Sequence, residues 1–132
     1  MEILLIEPDK VTRSHIKVGL EYVPGINVDV GETFLGINKA RQKKYDYIII
    51  GHEPDEFDGL NQVQMLREFD KDTDVIVVTT QKFSKQVAVE KTRLHIYSTI
   101  LKPIDVREFF RLVSRMKERV AGKALNTESR RP

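Results

Sequence analysis

The chain has 132 residues, a length typical of one domain, and its 40% hydrophobic and 32% charged residues are ordinary for a globular protein. It contains no cysteine, which excludes disulfides, thiolate metal sites and cysteine nucleophiles. No apolar run reaches the roughly 18 residues of a membrane span, and the sequence opens without a basic leader, so we expect a cytoplasmic protein with no membrane contact.

The net charge of +2 conceals an uneven distribution of charge along the chain. Residues 1–81 contain 9 Lys and Arg against 15 Asp and Glu, whereas residues 82–132 contain 13 against 5. Such a division favours an electrostatic partner for one face, namely an acidic protein surface, nucleic acid or a second copy of the chain. The alternative is that both halves are ordinary solvated surface.

The apolar residues fall into short blocks of two kinds. Ile3–Ile6, Tyr47–Ile50 and Val75–Val78 are continuous aliphatic or β-branched runs, which predicts strands buried on both faces of a parallel sheet. Residues 26–30 and 96–101 mix apolar and polar side chains, which favours strands at the two edges of the sheet.

A helical segment follows each of these strands. Asp9, Asp58 and Asp105 are placed to cap the first, third and fifth helix through their carboxylates. The predicted helices cover residues 10–22, 34–43, 59–69, 84–93 and 106–120, and Ser84 is expected to cap the fourth. One domain would then occupy residues 1–120, and residues 121–132 would form a flexible tail or the start of a linker.

The order of elements is a strand followed by a helix, five times over. Right-handed crossovers place the helices on both faces of a five-stranded parallel sheet. With the second and fifth strands at the edges, the prediction is an α/β protein of flavodoxin-like, doubly wound topology with strand order 2-1-3-4-5 and five helices.

The functional crevice of such a sheet lies at the carboxyl ends of its strands. The residues at these ends are Glu7, Pro8 and Asp9 after the first strand, Gly51, His52 and Glu53 after the third, Thr79 and Thr80 after the fourth, and Lys102 and Pro103 after the fifth.

Over about residues 2–120 the chain resembles the receiver domains of bacterial response regulators, the CheY-like superfamily. The resemblance rests on the Lys102-Pro103 pair after the fifth strand, on Thr79 after the fourth, and on Asp58-Gly59-Leu60 at the start of the third helix. It implies a module of a two-component, phosphorelay-type signalling system rather than an enzyme.

The chain departs from this family pattern where the family's chemistry takes place. The resemblance places the phosphoacceptor aspartate eight residues before the glycine of Asp-Gly-Leu, and Gly51 stands there, with no side chain to phosphorylate. The two acidic residues that hold Mg²⁺ correspond to Glu7 and Pro8, which leaves too few carboxylates for a magnesium site. The aromatic switch position is Thr99. We therefore expect a pseudo-receiver with no phosphorylation at the usual site, no bound metal and no cofactor.

The remnant of the pocket consists of Glu7, Pro8, Asp9, Glu53, Thr79 and Lys102. The favoured interpretation is that Lys102 is paired with Glu7, as a stabilising ion pair. The alternative is a residual anion site made by Lys102 and Thr79. A metal site made by His52, Glu53 and Glu7 is disfavoured, because the spacing matches no metal motif and adjacent residues leaving a strand point to opposite sides.

The partner surface is expected on the fourth helix, fifth strand and fifth helix, which form the usual docking face of receivers. Its predicted residues are Lys91, Arg93, Arg107, Phe110, Arg111 and Lys117. Phe110 would be an apolar anchor within a basic rim, for a protein partner or for a homodimer. The alternatives are that Phe110 packs internally, or that the basic face binds nucleic acid. The chain shows no helix-turn-helix and no aromatic residues interleaved with its basic ones, which argues against nucleic acid.

Overall fold

The computed structural model describes residues 1–129, and it describes side chains up to residue 125. The strands are β1 (Glu2–Ile6), β2 (Asn27–Val30), β3 (Tyr47–Gly51), β4 (Asp74–Thr80) and β5 (Ile96–Lys102). The helices are α1 (Lys10–Glu21), α2 (Lys39–Gln42), α3 (Gly59–Leu66), α4 (Ser84–Glu90) and α5 (Val106–Ser129). Short 3₁₀ turns precede α2 (Gly36–Asn38) and α4 (Gln81–Phe83).

The five strands form one parallel sheet in the order β2-β1-β3-β4-β5, so the predicted topology is confirmed. All residues of β3 are buried, as are four of the five residues of β1, whereas β2 and β5 are the edges. The continuous aliphatic runs therefore became central strands for the expected reason: both of their faces are covered by helices.

The core has two layers, one on each face of the sheet. On one face β1 and β3 pack against α1 and α5, with Ile16, Leu20 and Phe109 as large buried contributors. On the other face the sheet packs against α2, α3 and α4, with Val63 and Val87 at the centre. This arrangement leaves the carboxyl ends of the strands uncovered by helices, and the residues that follow the strands lie there.

The caps at three helices follow the sequence. The carboxylate of Asp9 accepts the backbone N–H of Thr12, that of Asp58 accepts the N–H of Asn61, and that of Asp105 accepts the N–H of Glu108; these bonds measure 2.9, 3.0 and 3.0 Å. Ser84 was wrongly predicted as a cap: it is the first residue of α4, and its hydroxyl donates to the carbonyl of Gln81.

The second and fifth helices differ most from the predicted bounds. The α2 region is a 3₁₀ turn followed by a single α-helical turn. The turn packs closely at Gly36, where an added Cβ would come within 2.9 Å of Ile6 Cγ1. Helix α5 continues to Ser129 instead of ending near residue 120. The ion pair from Lys123 to Asp74, at 3.0 Å, holds this extension against the start of β4.

The third and fourth helices are shorter than expected, and both end in tight turns. After Leu66 the N–H groups of Glu68 and Phe69 bond to carbonyls three residues back, which closes α3. Residues 130–132, the end of the predicted tail, lie outside the described residues. No helix in the described part of the chain is long and apolar enough to cross a membrane.

Candidate functional site

Lys102 joins the ends of three strands at the carboxyl edge of the sheet. Its Nζ lies 2.7 Å from Oε1 of Glu7, which follows β1, and 2.8 Å from Oε1 of Glu53, which follows β3. The Lys102 side chain is 13% exposed and that of Glu7 is fully buried. The predicted pairing of Lys102 with Glu7 is confirmed, and Glu53 is a second partner that the prediction placed nearby but left unpaired.

The carboxylate of Glu7 occupies the space in front of Gly51. A Cβ built on Gly51 would overlap Glu7 Oε2, and it would lie 2.9 Å from Glu7 Cδ and 3.1 Å from Pro8 Cδ. Any side chain at position 51 therefore requires Glu7 to leave its present position. Gly51 is the last residue of β3 and pairs with Val78 of β4, so its backbone is fixed by the sheet.

Glu7 is a buried carboxylate that is only half satisfied. Its Oε1 accepts from Lys102 and, at 3.3 Å, from the N–H of Asp9, but its Oε2 has no hydrogen-bond partner among the described residues. Burial raises the pKa of Glu7, although the hydrogen bond and the charge of Lys102 act in the opposite direction. The pKa of Lys102 is also raised: burial favours the neutral amine, but the hydrogen bonds to Glu53 and Glu7 outweigh it. The arrangement favours a charged lysine held between two carboxylates.

The hydroxyl of Thr79 is already used inside the sheet. Thr79 is fully buried, and its Oγ1 donates to the carbonyl of His52 at 2.7 Å. The alternative of an anion site made by Lys102 and Thr79 needs both groups, and each is engaged elsewhere in this structure.

Asp9 does not act as a pocket residue. Its carboxylate accepts the N–H of Thr12 and, at 2.5 Å, the hydroxyl of the same residue. These hydrogen bonds lower the pKa of Asp9, because they stabilise the ionised carboxylate that caps α1. The placement of Asp9 in the remnant pocket is thus corrected: its role here is that of a helix cap.

His52 links the end of β3 to two helices. Its buried ring accepts the N–H of Leu60 at Nδ1, at 3.3 Å, so that Nε2 carries the proton and donates to Oε1 of Gln86 in α4, at 2.8 Å. The ring of Phe83 packs edge-on against it, with centroids 6.1 Å apart. Both ring nitrogens are therefore occupied, and the described residues contain no group of three His, Asp or Glu placed to hold a metal ion.

This role of His52 was not predicted from the sequence, where the residue was considered only as part of a disfavoured metal site. The signal that could have found it is its position directly after a fully buried strand, eight residues before the backbone N–H that its ring accepts.

The basic residues predicted for the partner surface do not all lie on one face. Arg111 and Arg115 line a groove between β5 and α5, and Arg107 is exposed one helical turn before Arg111. Lys91 and Arg93 are exposed just after α4, where Arg93 pairs with Glu90 at 2.6 Å. These residues, with α4 and β5, are called the α4–β5–α5 face below.

Two predicted members of that face lie elsewhere. Phe110 is only partly buried, but it lines a groove between α1 and α5 beside Ser14 and Val18, and it packs edge-on against Phe109 at 5.3 Å. Lys117 donates to the carbonyl of Pro24, at 3.3 Å, in the loop before β2. Phe110 and Lys117 were therefore assigned to the wrong side of α5. One side of this helix contacts α1 and another borders β5, and these two residues do not lie on the β5 side.

Comparison with known proteins agrees with this fold. Residues 3–114 match the model of the response regulator receiver domain family. No curated protein sequence matches the chain. Among solved structures, a two-component response regulator from Clostridium difficile is 21% identical, with a TM-score of 0.76 over 91% of this chain and 98% of that one.

Two further similar structures are described as an inactive form and as a sensor. The inactive form of the regulatory domain from the repressor of iron transport regulator (RitR) is 19% identical, with a TM-score of 0.73 over 92% of this chain and 95% of that one. A structure from the streptococci, described as a novel family of redox sensors evolved from two-component response regulators, is 17% identical; its TM-score is 0.77 over 93% of this chain and 54% of that one. The family match covers most of the chain and the sheet order is that of its members, so the protein belongs to the response regulator receiver domain family, whose members are signalling modules.

Proposed function

We propose that this chain is a pseudo-receiver, a protein-interaction module that signals without phosphorylation. One observation carries the proposal: the carboxylate of Glu7 fills the space in which a phosphoacceptor side chain at position 51 would stand. Gly51 offers no nucleophile, and Lys102, the group that resembles the family's lysine, neutralises Glu7 and Glu53 instead of a phosphoryl group.

The same contacts argue against a bound Mg²⁺ at this edge. A divalent cation needs several oxygen ligands, and Pro8 supplies none. Of the two carboxylates within reach, Glu7 and Glu53, each already binds the ammonium group of Lys102. A metal ion would have to displace Lys102, whose Nζ lies 2.7 and 2.8 Å from the two carboxylates. The module would therefore keep one conformation and one binding surface under all conditions of phosphate supply.

The likeness to the streptococcal structure supports the idea that the fold can be used in this way, since that protein is described as a redox sensor evolved from response regulators. This chain has no cysteine, so redox sensing through a thiol is not proposed for it. The expected output is protein binding through the α4–β5–α5 face, where Arg107 and Arg111 are exposed.

Incubation with a small phosphodonor and Mg²⁺, followed by intact-mass measurement, tests the proposal. The wild-type chain is expected to gain no phosphoryl group. The matched positive control is the variant Gly51→Asp with Glu7→Asp and Pro8→Asp, which restores the acceptor and both acidic residues. An acid-labile adduct on the wild type would contradict the proposal, and Asp55 and Asp58 would be the first positions to map.

A capture experiment from native lysate separates a protein partner from nucleic acid. The bait is compared with a variant carrying Lys91→Glu, Arg107→Glu and Arg111→Glu, each with and without nuclease. A protein recovered only by the wild type, and unaffected by nuclease, supports the interaction module. Recovery that disappears with nuclease would favour a nucleic-acid regulator, and equal recovery by both baits would place the partner site elsewhere.

A further inference from the structure

A concave groove lies between β5 and α5 on the α4–β5–α5 face. It has a volume of about 320 Å³ and runs along Ser98–Leu101 of the strand. Ile104 and Leu112 supply apolar wall, and Arg111 and Arg115 stand on the helix side together with the acidic residues Asp105 and Glu108. The carboxylate of Asp105 accepts the N–H of Glu108 as the cap of α5. Apolar walls beside two arginines that form no ion pair among the described residues suit an apolar side chain that is flanked by carboxylates.

Several cations of the α4–β5–α5 face have no ion-pair partner among the described residues. No ion pair within the described residues involves any of the exposed residues Lys85, Lys91, Arg107, Arg111 and Arg115. Val89 of α4 and Leu101 of β5 are exposed apolar residues of the same face. The face therefore combines unpaired positive charge with apolar surface, which is the composition of a docking site rather than of a solvated helix.

A second surface, with exposed apolar residues and mainly negative charge, lies beside β2, at the edge of the sheet opposite β5. Phe34 and Leu35, in the loop after β2, are 67% and 63% exposed. The ring of Phe34 packs edge-on against Phe57, with centroids 5.5 Å apart, which places this loop beside the loop between β3 and α3. We call Phe34 and Leu35 the apolar pair.

Acidic residues lie on the same two loops as the apolar pair and Phe57. Glu32, Asp55 and Glu56 are exposed, and residues 45–66 contain five acidic residues and no Lys or Arg. Two basic residues border the loop: Arg13, whose guanidinium donates to the carbonyl of Glu7 at 3.0 Å, and Lys39. The exposed charge beside the apolar pair is therefore mainly negative.

The sheet order keeps these two surfaces apart within one molecule. β2 and β5 are the opposite edges of the sheet, so the loop after β2 cannot reach the groove beside β5 of the same copy. It can reach the groove of another copy, and because the two surfaces differ, the contact would be heterologous rather than two-fold symmetric.

We infer that the chain associates head to tail, with the apolar pair of one copy seated in the β5–α5 groove of the next. Glu32, Asp55 and Glu56 of one copy then face Arg107, Arg111 and Arg115 of the other. This inference rests on the proposed function, since it names a second copy of the chain as a partner of the interaction module. A head-to-tail contact adds copies at both ends unless it closes into a ring.

Analytical ultracentrifugation over a concentration series tests the contact with two complementary variants. The acidic-surface variant carries Asp55→Lys and Glu56→Lys, and the basic-face variant carries Arg111→Glu and Arg115→Glu. Each is expected to weaken self-association at least about tenfold, because it opposes like charges across the contact. Mixed in equal amounts, the two variants should regain association. The intact groove of one meets the intact acidic surface of the other, and at the second contact the introduced lysines face the introduced glutamates. The matched control carries the exposed changes Glu68→Lys and Lys71→Glu and should associate as the wild type does.

Three results would overturn the inference. The wild type could remain monomeric throughout the series, the acidic-surface variant could associate as well as the wild type, or the mixture could associate no better than either variant alone. The second result would indicate a symmetric dimer through the α4–β5–α5 face alone. None of these results bears on whether the chain gains a phosphoryl group, so the intact-mass experiment tests the proposed function independently.

Cysteine trapping gives a second readout that does not depend on charge reversal. The chain is free of cysteine, so Leu35→Cys and Leu101→Cys introduce single thiols at positions that are exposed in the structure. Under mild oxidation an equimolar mixture is expected to give predominantly the mixed disulfide. Equal yields of the mixed product and of the two like-with-like products would contradict a head-to-tail contact.

Discussion

Oε2 of Glu7 lies where the Cβ of any residue other than glycine at position 51 would stand. The two positions exclude each other: a side chain can leave the end of β3 only if the Glu7 carboxylate moves out of the pocket. Lys102 opposes that movement, because its Nζ holds Glu7 Oε1 at 2.7 Å.

Introducing Ala at position 51 is expected to destabilise the fold. Gly51→Ala should lower the free energy of unfolding by about 1–3 kcal/mol, the usual cost of overpacking a well-packed site, because Glu7 must swing away from Lys102. Urea denaturation followed by circular dichroism measures this change. Adding Glu7→Ala should recover most of the loss, since it removes the overlapping carboxylate; a double variant as unstable as the sum of the two single ones would show that the positions do not interact.

Replacing Glu7 by Gln is expected to change how stability depends on pH. The pKa of Glu7 is raised above its ordinary value of 4.5 by burial, so the folded state holds this proton more tightly than the unfolded state does. Its contribution is fully present below about pH 4.5 and is lost as the pH rises through the folded-state pKa. The unfolding free energy of Glu7→Gln relative to the wild type should therefore increase as the pH rises from 4.5. Thermal or urea denaturation at several pH values checks the sign, and a difference that decreases with pH would be inconsistent with a buried, proton-holding Glu7.

Arg67 closes the opposite, amino-terminal edge of the sheet. Its guanidinium donates to the carbonyls of Leu94, Asp70, Thr73 and His95 at 2.8–3.1 Å, and so joins the loop before β4 to the loop before β5. Arg67→Lys is expected to cost about 2 kcal/mol of unfolding free energy, because one ammonium group cannot reach four carbonyls. Denaturant unfolding measures the loss. The exposed change Arg111→Lys is the control and should stay within about 0.5 kcal/mol of the wild type.

The order of the sheet could be predicted from the sequence, because the apolar or mixed side chains of each strand indicate whether it is central or at an edge. The runs around Ile49 and Val77 are aliphatic on both faces, and only a central strand tolerates that. The caps at Asp9 and Asp58 were predictable for a similar reason, since a single side chain determines each of them.

The parts that could not be predicted depend on tertiary contacts. In the short α2 region Gly36 lies close to Gly31, and the extension of α5 carries an ion pair across 49 residues, from Asp74 to Lys123. The side of α5 on which Phe110 lies depends on which neighbouring helix comes nearer, which helical periodicity does not specify. The same holds for the site. Spacing along the sequence predicted that Gly51 takes the phosphoacceptor position, but it could not predict that the Glu7 carboxylate lies in front of Gly51.

The most direct test of the central claim is a comparison of amide NMR spectra of the wild-type chain before and after addition of Mg²⁺ and a small phosphodonor. If Glu7 and Lys102 hold the pocket in one state, the two spectra should superimpose throughout the sheet. The resonances of Thr79 and Gln86, which connect the end of β3 to β4 and α4 through His52, should not move. Shifts of these resonances that saturate with phosphodonor, and that disappear when Mg²⁺ is removed, would contradict a module locked in a single conformation.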